Sequence, residues 1–155
     1  MRLTAFTDYT LRTLIYLAQH PDRLVTVQEI AELHSISKSH LTKVVHQLGM
    51  SNKVETIRGR HGGLKLNLPP EKINIGDVVR DAESDFHMAE CFDGQSNTCS
   101  YASACILKGV LSKATASYLS VLDAVTLADL IAQKSKTNKI QIFPSNKVKR
   151  KSSAT

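Results

Sequence analysis

The sequence predicts a mainly α-helical protein whose first half is a winged helix-turn-helix, a helical unit extended by a small β-hairpin. Three short amphipathic helices are predicted within the first 50 residues, with a brief turn between the second and the third. Two alternating strand segments follow, around a turn rich in glycine and arginine. Further along the chain, a longer helix with a narrow apolar seam is predicted.

The first helix is predicted over residues 3–18, where apolar side chains recur at helical spacing. We predict Thr7 as its N-cap, which places Asp8 in the first turn, where a carboxylate suits the positive end of a helix. Pro21 follows the helix, and the residue before a proline is driven out of the α-helical region. From these residues alone, Asp8 is interpreted as a helix-dipole partner.

Two N-caps define the helix-turn-helix. A capping box at Thr26 opens the second helix, and Ser37 is the predicted cap of a third helix that runs to about Leu48. On a helical projection of about 100° per residue, the apolar residues of the third helix share one face, formed by Leu41, Val44, Val45 and Leu48. This face is the predicted contact with the core.

The opposite face of the third helix is polar and carries no acidic side chain. Such a face can hydrogen-bond base edges or phosphates, although it is also typical of an ordinary solvated helix. The adjoining hairpin favours DNA, because Arg58 and Arg60 lie on a glycine-rich tip between strands predicted at 54–57 and 64–66. We therefore predict a DNA-contacting surface, the recognition surface, formed by Ser37, Lys38, Ser39, His40, Lys43, His46, Gln47, Arg58 and Arg60.

The second half of the chain is also predicted to be helical. A helix capped by Asn74 is predicted over residues 75–83. From Ile106, a long helix carries an apolar seam formed by Leu107, Leu111, Ala114, Tyr118, Val121 and Val125. A heptad-like seam of this width suits packing against one partner helix. A second capping box, at Thr126, starts a last helix to Gln133.

An irregular segment, residues 84–105, holds all three cysteines, which are Cys91, Cys99 and Cys105. An odd number of cysteines in a chain expected to be cytoplasmic argues against a disulfide framework. Three scattered reduced thiols are one interpretation, and a metal centre is another. Zinc would require a fourth ligand, and an iron–sulfur cluster would leave one iron for a ligand other than cysteine. The chemistry of the cysteines leaves the choice of metal open.

Composition narrows the class of protein. The 155 residues carry a net charge of +6, and 42% are hydrophobic, as in an ordinary folded protein. No apolar run approaches the roughly 20 residues of a membrane span, and no signal-peptide pattern opens the chain, so we expect a cytoplasmic protein without a membrane segment. No dinucleotide fingerprint or CxxC pair supports a redox enzyme.

The charge is distributed unevenly along the chain. Residues 1–70 have nine basic and five acidic side chains, residues 71–133 have four and nine, and residues 134–155 have seven and none. The last segment contains little apolar surface, and we expect a mobile, solubilising tail. The alternative is that its charges add salt-sensitive attraction to DNA.

Five motifs occur in one order along the chain: Phe6-Thr7-Asp8-Tyr9, Ser37-x-x-His40-Leu41-x-Lys43-Val44-Val45, Arg58-Gly59-x-x-Gly62-Gly63, Ile75-Gly76-Asp77-Val78-Val79 and Thr126-Leu127-Ala128-Asp129-Leu130. With the three cysteines, they make residues 2–133 resemble the Rrf family of bacterial winged-helix regulators. Seven residues separate Cys91 and Cys99, and Lys108 stands where the cluster-biogenesis branch of that family has a histidine. The resemblance is therefore to the nitric-oxide-sensing branch.

The resemblance implies a homodimer bound to a two-fold operator in double-stranded DNA. We accordingly predict a DNA-binding domain over residues 1–70 and a cluster-binding loop with dimerisation helices over 71–133, whereas the resemblance leaves the basic tail over 134–155 unexplained. The resemblance further implies one iron–sulfur cluster per subunit, [4Fe-4S] or [2Fe-2S], held by the three cysteines, with Asp8 of the same or the other subunit as the fourth ligand.

Nitric oxide is the signal that the resemblance implies. Nitrosylation of the cluster would weaken operator binding by a repressor and so derepress genes for nitric-oxide detoxification. The alternative is a winged-helix regulator that senses iron–sulfur status or redox state, or one that holds a structural zinc ion.

Overall fold

A computed structural model of the protein describes residues 2–95, 97–101 and 104–132. Within these ranges it contains six α-helices and one two-stranded antiparallel sheet, which confirms the mainly α-helical fold. The elements are α1 (Ala5–Ala18), α2 (Val27–His34), α3 (Lys38–Met50), β1 (Val54–Ile57), β2 (Gly63–Leu66), α4 (Ile75–Ala82), α5 (Ile106–Asp123) and α6 (Leu127–Ala132). Short 3₁₀ turns lie at Pro70–Lys72 and Glu90–Phe92.

The N-cap of helix α1 lies three residues before the predicted cap. Thr4 is the N-cap, and its Oγ1 accepts a hydrogen bond from the backbone N–H of Thr7 at 3.3 Å. The prediction that Thr7 caps the helix is therefore wrong. A carboxylate distant in sequence explains the difference. Oε1 of Glu83 accepts hydrogen bonds from the Thr4 N–H at 2.8 Å and from the Thr7 hydroxyl at 2.5 Å, and so holds Thr4 at the start of the helix. The placement of Asp8 in the first turn is confirmed.

The predicted caps of α2 and α3 are confirmed. The Oγ1 of Thr26 accepts from the N–H of Glu29 at 3.1 Å, and Oγ of Ser37 accepts from the N–H of His40 at 3.4 Å. Helix α3 runs to Met50, two residues beyond the predicted end. It ends before Asn52, whose φ of 57° is left-handed, a conformation that asparagine tolerates better than most residues.

The hairpin of β1 and β2 forms the wing. Val54 pairs with Leu66 and Ile57 with Gly63, so the second strand begins one residue earlier than predicted. Val25, from the segment before α2, exchanges two backbone hydrogen bonds with Leu64, at 3.0 and 2.8 Å. The wing is therefore joined to the helical domain through its second strand.

The core lies between α1, α2, α3, the wing and α4, with one residue from α6. Its fully buried apolar side chains are Leu14, Val25, Ile30, Leu41, Val44, Leu64, Ile73, Val78, Val79 and Leu127. Backbone hydrogen bonds from Ile75 to Val125 and from Leu127 to Ile73 attach the start of α6 to the start of α4. These contacts close the domain around its apolar centre.

Helix α5 contains no buried residue, although it packs against α4. Of the predicted seam, Leu111, Tyr118 and Val125 are half-buried, whereas Leu107, Ala114 and Val121 are exposed. The seam therefore only partly contacts the rest of this chain.

The two shorter helices of the second half begin as predicted. Asn74 caps α4, which ends at Ala82 rather than at residue 83. Asp129 Oδ2 accepts from the N–H and hydroxyl of Thr126 at 2.8 and 2.7 Å, as the capping box at α6 requires. The expected end of this helix at Gln133 and the tail over 134–155 lie outside the described residues. Among the helices described, none is long and apolar enough to cross a membrane.

Candidate nucleic-acid interface and metal centre

The third helix presents its polar face to solvent as predicted. The residues on its inner face, Leu41, Val44, Val45 and Leu48, are all buried. The helix residues and N-cap assigned to the recognition surface are all exposed, namely Ser37, Lys38, Ser39, His40, Lys43, His46 and Gln47. Hydroxyl, imidazole, amide and ammonium groups are therefore aligned along one accessible helix, where they can reach base edges and phosphates.

The tip of the wing exposes both predicted arginines, Arg58 and Arg60. The turn that carries them closes tightly, because the N–H of Gly62 donates to the carbonyl of Gly59 at 3.0 Å. A Cβ at Gly62 would overlap the carbonyl oxygen of Ile57, so only glycine allows this close approach. The result is a narrow tip with two positive side chains.

The basic side chains of the recognition surface have no ion-pair partner within the described residues, unlike several basic side chains elsewhere. In the described ranges, Lys38, Lys43, Arg58 and Arg60 form no salt bridge. Several basic residues elsewhere are paired with carboxylates, as in Arg12–Asp8, Arg23–Glu29, Lys53–Asp81 and Lys65–Glu55. The four cations on α3 and the wing therefore remain available to phosphate groups.

Sequence reasoning did not include Tyr9 of α1 in this surface. Its ring stacks on that of His40, with centroids 6.4 Å apart and an interplanar angle of 29°. Tyr9, His40 and Lys43 line a mostly apolar cavity with Phe6, between α1 and α3. The spacing of Phe6 and Tyr9 places both on one face of α1, which was the available signal in the sequence.

A second contact that the sequence did not reveal holds α2 against α1. Glu29 accepts hydrogen bonds from Arg23 and, at 2.6 Å, from the hydroxyl of Tyr16. These bonds, that of Arg23 first, lower the pKa of Glu29 to about 2. Nearby, the His34 ring lies edge-on to the ring of Tyr16. Burial lowers the pKa of His34. This network fixes the helix that supports α3.

The three cysteines are free and half-buried in the loop before α5. Cys91 lies in the 3₁₀ turn Glu90–Phe92, and Cys105 is the N-cap of α5, where its Sγ accepts from the N–H of Lys108 at 3.4 Å. Three unoxidised thiols, one at the positive end of a helix, suit a soft metal centre such as an iron–sulfur cluster. Within the ranges described, no group of three or more potential ligands is already gathered around a point.

Asp8 lies on α1 and is half-buried. Its carboxylate accepts from Nε of Arg12 at 3.0 Å and lies 2.7 Å from Nη2 of the same side chain. A metal ion would have to compete with this guanidinium for Asp8.

The fold combines a helix-turn-helix formed by α2 and α3, an exposed polar face on α3 and a basic wing. These features define a winged helix-turn-helix regulator of transcription. A family model described as "Rrf2: Iron-dependent Transcriptional regulator" matches residues 3–133. The chain therefore belongs to the Rrf2 family, and the resemblance seen in the motifs is confirmed.

Individual relatives agree with this assignment. The chain is 53% identical over 135 residues to the HTH-type transcriptional regulator NsrR of Bacillus subtilis (strain 168), covering 86% of this chain and 92% of the relative. It is 50% identical over 141 residues to NsrR of Bacillus licheniformis, covering 90% and 99%. The chain is thus a helix-turn-helix transcriptional regulator similar to NsrR.

Solved structures support the fold. IscR of T. potens matches with a TM-score of 0.70 and 25% identity, over 90% of this chain and 93% of that one. The oxidized form of CymR from Staphylococcus aureus matches with a TM-score of 0.69 and 25% identity, over 84% and 96%. The predicted winged-helix fold is confirmed.

Proposed function

We propose that the chain is a transcriptional repressor that binds operator DNA as a homodimer and responds to nitric oxide through an iron–sulfur cluster. The observation that carries this proposal is the recognition surface, where α3 exposes hydrogen-bonding groups and cations that form no salt bridge in the described part of the chain, on the same domain as the basic wing. Similarity to regulators named NsrR over most of the chain supports the choice of signal. The genes under control would be those that remove nitric oxide, and the site of action would be the cytoplasm.

The recognition surface would engage DNA in two places. Helix α3 would enter the major groove, which is wide enough for an α-helix, with Ser39, Lys43 and His46 facing the bases or their flanking phosphates. Arg58 and Arg60 on the wing would contact the adjacent backbone or minor groove. Packing of α3 against α1 and α2 would hold the helix in its groove.

An exposed apolar stripe on α5 supports the homodimer. Leu107, Val110, Ala114 and Val121 follow heptad spacing along this helix, and Leu107 and Val121 are 62% and 66% exposed. A stripe of this kind, left open by the chain itself, is typical of a helix that packs on a copy of itself. The dimer would present two recognition surfaces to a two-fold operator.

Cys91, Cys99 and Cys105 would hold the cluster, with Asp8 as the proposed fourth ligand. When bound, the cluster would supply iron that a small neutral gas can reach without a shaped pocket. Asp8 is on α1, which packs directly against α3. A change in what Asp8 binds would therefore alter the support of the recognition helix.

The test is anaerobic purification with iron and sulfide analysis, followed by titration of nitric oxide against operator binding. We expect bound iron and sulfide, and a loss of operator affinity of about a hundredfold with nitric oxide, equivalent to about 2.7 kcal/mol. Unchanged affinity, although the visible absorbance shows that the cluster has reacted, would refute the proposed switch.

A pair of variants in the cysteine loop provides the control. Cys99→Ser should lose iron and the response to nitric oxide, whereas Ser100→Ala, at the exposed neighbouring position, should retain both. Iron bound equally by the two variants would remove Cys99 from the ligand set.

A second candidate is a regulator whose cysteines respond directly to oxidants or hold zinc. This candidate is supported by the observation that all three thiols are free and half-buried. Visible absorbance of the anaerobic protein separates the candidates, because zinc and free thiols are colourless.

A further inference from the structure

The C-terminal end of α5 is held by a polar contact that we name the α4–α5 clamp, formed by Asn74, Gly76, Arg80 and Asp123. Asp123 is the last residue of α5. Its two carboxylate oxygens accept from Nη1 and Nη2 of Arg80 at 2.6 and 2.7 Å. Nδ2 of Asn74 donates to the Asp123 carbonyl at 2.7 Å. The clamp thus fixes both the side chain and the backbone of Asp123 against the first two turns of α4.

The clamp depends on glycine at position 76. Gly76 is buried in the first turn of α4, and a Cβ there would overlap Oδ1 of Asp123 and lie 3.0 Å from Nη1 of Arg80. Any other residue would force the carboxylate away from the guanidinium. Gly76 also belongs to one of the five sequence motifs, and neither the recognition surface nor the cysteine loop explains it.

Stability alone does not account for this arrangement. Arg80 and Asp123 are both exposed, and exposed ion pairs contribute little to the free energy of unfolding. Glycine is among the poorest helix formers, so its presence within α4 works against the helix. What the bidentate contact does supply is a defined orientation between the two helices.

The clamp holds the C-terminal end of α5, where Leu122 also packs against the core. Helix α5 has no buried residue, and the side chains of Ile106 and Leu107 at its other end are 85% and 62% exposed. Eighteen residues span roughly 27 Å at 1.5 Å per residue. A rotation of about 10° at the clamp would therefore move the far end by about 5 Å, more than the roughly 3.4 Å step between base pairs.

We propose that the α4–α5 clamp is a positioning device for DNA binding, which sets the separation of the two recognition helices in the dimer. This inference rests on the proposed function, in which α5 joins two copies of the chain on a two-fold operator. Because half-sites must be matched by the distance between recognition helices, the clamp would determine which half-site spacing the dimer accepts.

The experiment compares full-length wild type with Gly76→Ala and Asp123→Asn. Binding is measured to the operator with its natural half-site spacing, to operators one base pair shorter and longer, and to a single half-site. We expect the wild type to prefer the natural spacing by about tenfold, a size typical of one disturbed recognition position. Both variants should reduce this preference to about twofold or less, while affinity for the single half-site stays unchanged.

Asp77→Asn is the matched control. It removes a carboxylate of α4 whose Oδ1 lies 3.7 Å from Nη1 of Arg80, but it leaves the bidentate contact between Arg80 and Asp123 intact. It should keep the wild-type spacing preference. Arg80→Lys retains the charge without the bidentate geometry and should behave like Asp123→Asn. Thermal unfolding of each variant checks that the domain is folded.

Three results would overturn the proposal. An equal loss of affinity for every spacing and for the single half-site would indicate a purely structural role. A wild-type spacing preference in folded Asp123→Asn would show that the clamp does not set the distance. If the wild-type chain is monomeric, or does not bind DNA that contains two half-sites, the proposed function is overturned together with this inference. That outcome is visible in the wild type alone and is therefore distinguishable from a failure of the clamp.

Discussion

Replacement of Lys43 by alanine tests whether the exposed face of α3 contacts the DNA backbone. The Lys43 side chain is exposed and has no salt bridge within the described residues, so it is available to a phosphate. Lys53 is a matched control just beyond α3, because its Nζ lies 2.6 Å from Oδ2 of Asp81 and its side chain is only 12% exposed. We expect Lys43→Ala to weaken operator binding and Lys53→Ala to leave the salt dependence unchanged.

The expected magnitude follows from counterion release. Each phosphate neutralised by a protein cation contributes about 0.9 to the steepness of log affinity against log salt concentration. The dimer carries two copies of Lys43, so the variant should reduce this steepness by about 1.8. Over a fourfold rise in salt concentration, wild-type affinity should then fall about 12-fold further than that of the variant.

The assay is fluorescence anisotropy of a labelled operator, titrated between about 50 and 200 mM salt. A duplex of unrelated sequence and equal length separates the two kinds of contact. Loss of a phosphate contact weakens binding to both duplexes, whereas loss of a base contact costs about 1–3 kcal/mol on the operator alone. Equal affinity and equal salt dependence for wild type and Lys43→Ala would mean that the recognition surface is wrongly assigned.

Two further changes concern the stability of the helix-turn-helix and the basic segment over 134–155. Hydrogen bonds from Arg23 and Tyr16 lower the pKa of Glu29 from 4.5 to about 2, so its stabilising contribution is complete above 4.5 and is lost as pH falls towards 2. Because the Glu29 side chain is 32% exposed, we expect Glu29→Gln to lower the free energy of unfolding by only about 1 kcal/mol at neutral pH. Urea unfolding should show this difference shrinking in acid, and a difference independent of pH would contradict the explanation. Removal of residues 134–155 should leave the salt dependence of operator binding unchanged, and a shallower dependence would instead assign DNA contacts to their seven charges.

Local interactions explain why most helix starts were predicted correctly. At Thr26, Ser37 and Asn74, a side-chain oxygen accepts from a backbone N–H three residues later, so both partners lie in one short segment. The start of α1 was predicted wrongly, because Thr4 and Thr7 are both suitable cap residues. The choice between them depends on Glu83, which is 79 residues from Thr4.

The same distinction applies to the candidate site. Helical periodicity was sufficient to separate the buried and exposed faces of α3, because that periodicity is a property of the helix itself. Periodicity also found the apolar seam of α5, but it could not show which part would face α4 and which would stay exposed. The contact between Tyr9 and His40 joins two helices, and its prediction would have required their crossing geometry.

Residue types and their spacing were enough to determine the winged helix-turn-helix and the exposed polar face of α3, and to predict the recognition surface and a metal centre at the three cysteines. Only the folded chain revealed that Lys43 has no ion-pair partner among the described residues while Lys53, equally basic, is bound to Asp81, and that Gly76 makes room for Asp123. The physical reason is range. Caps and helix faces depend on atoms a few residues apart, whereas ion pairs and helix orientations arise between side chains that the chain brings together from distant positions.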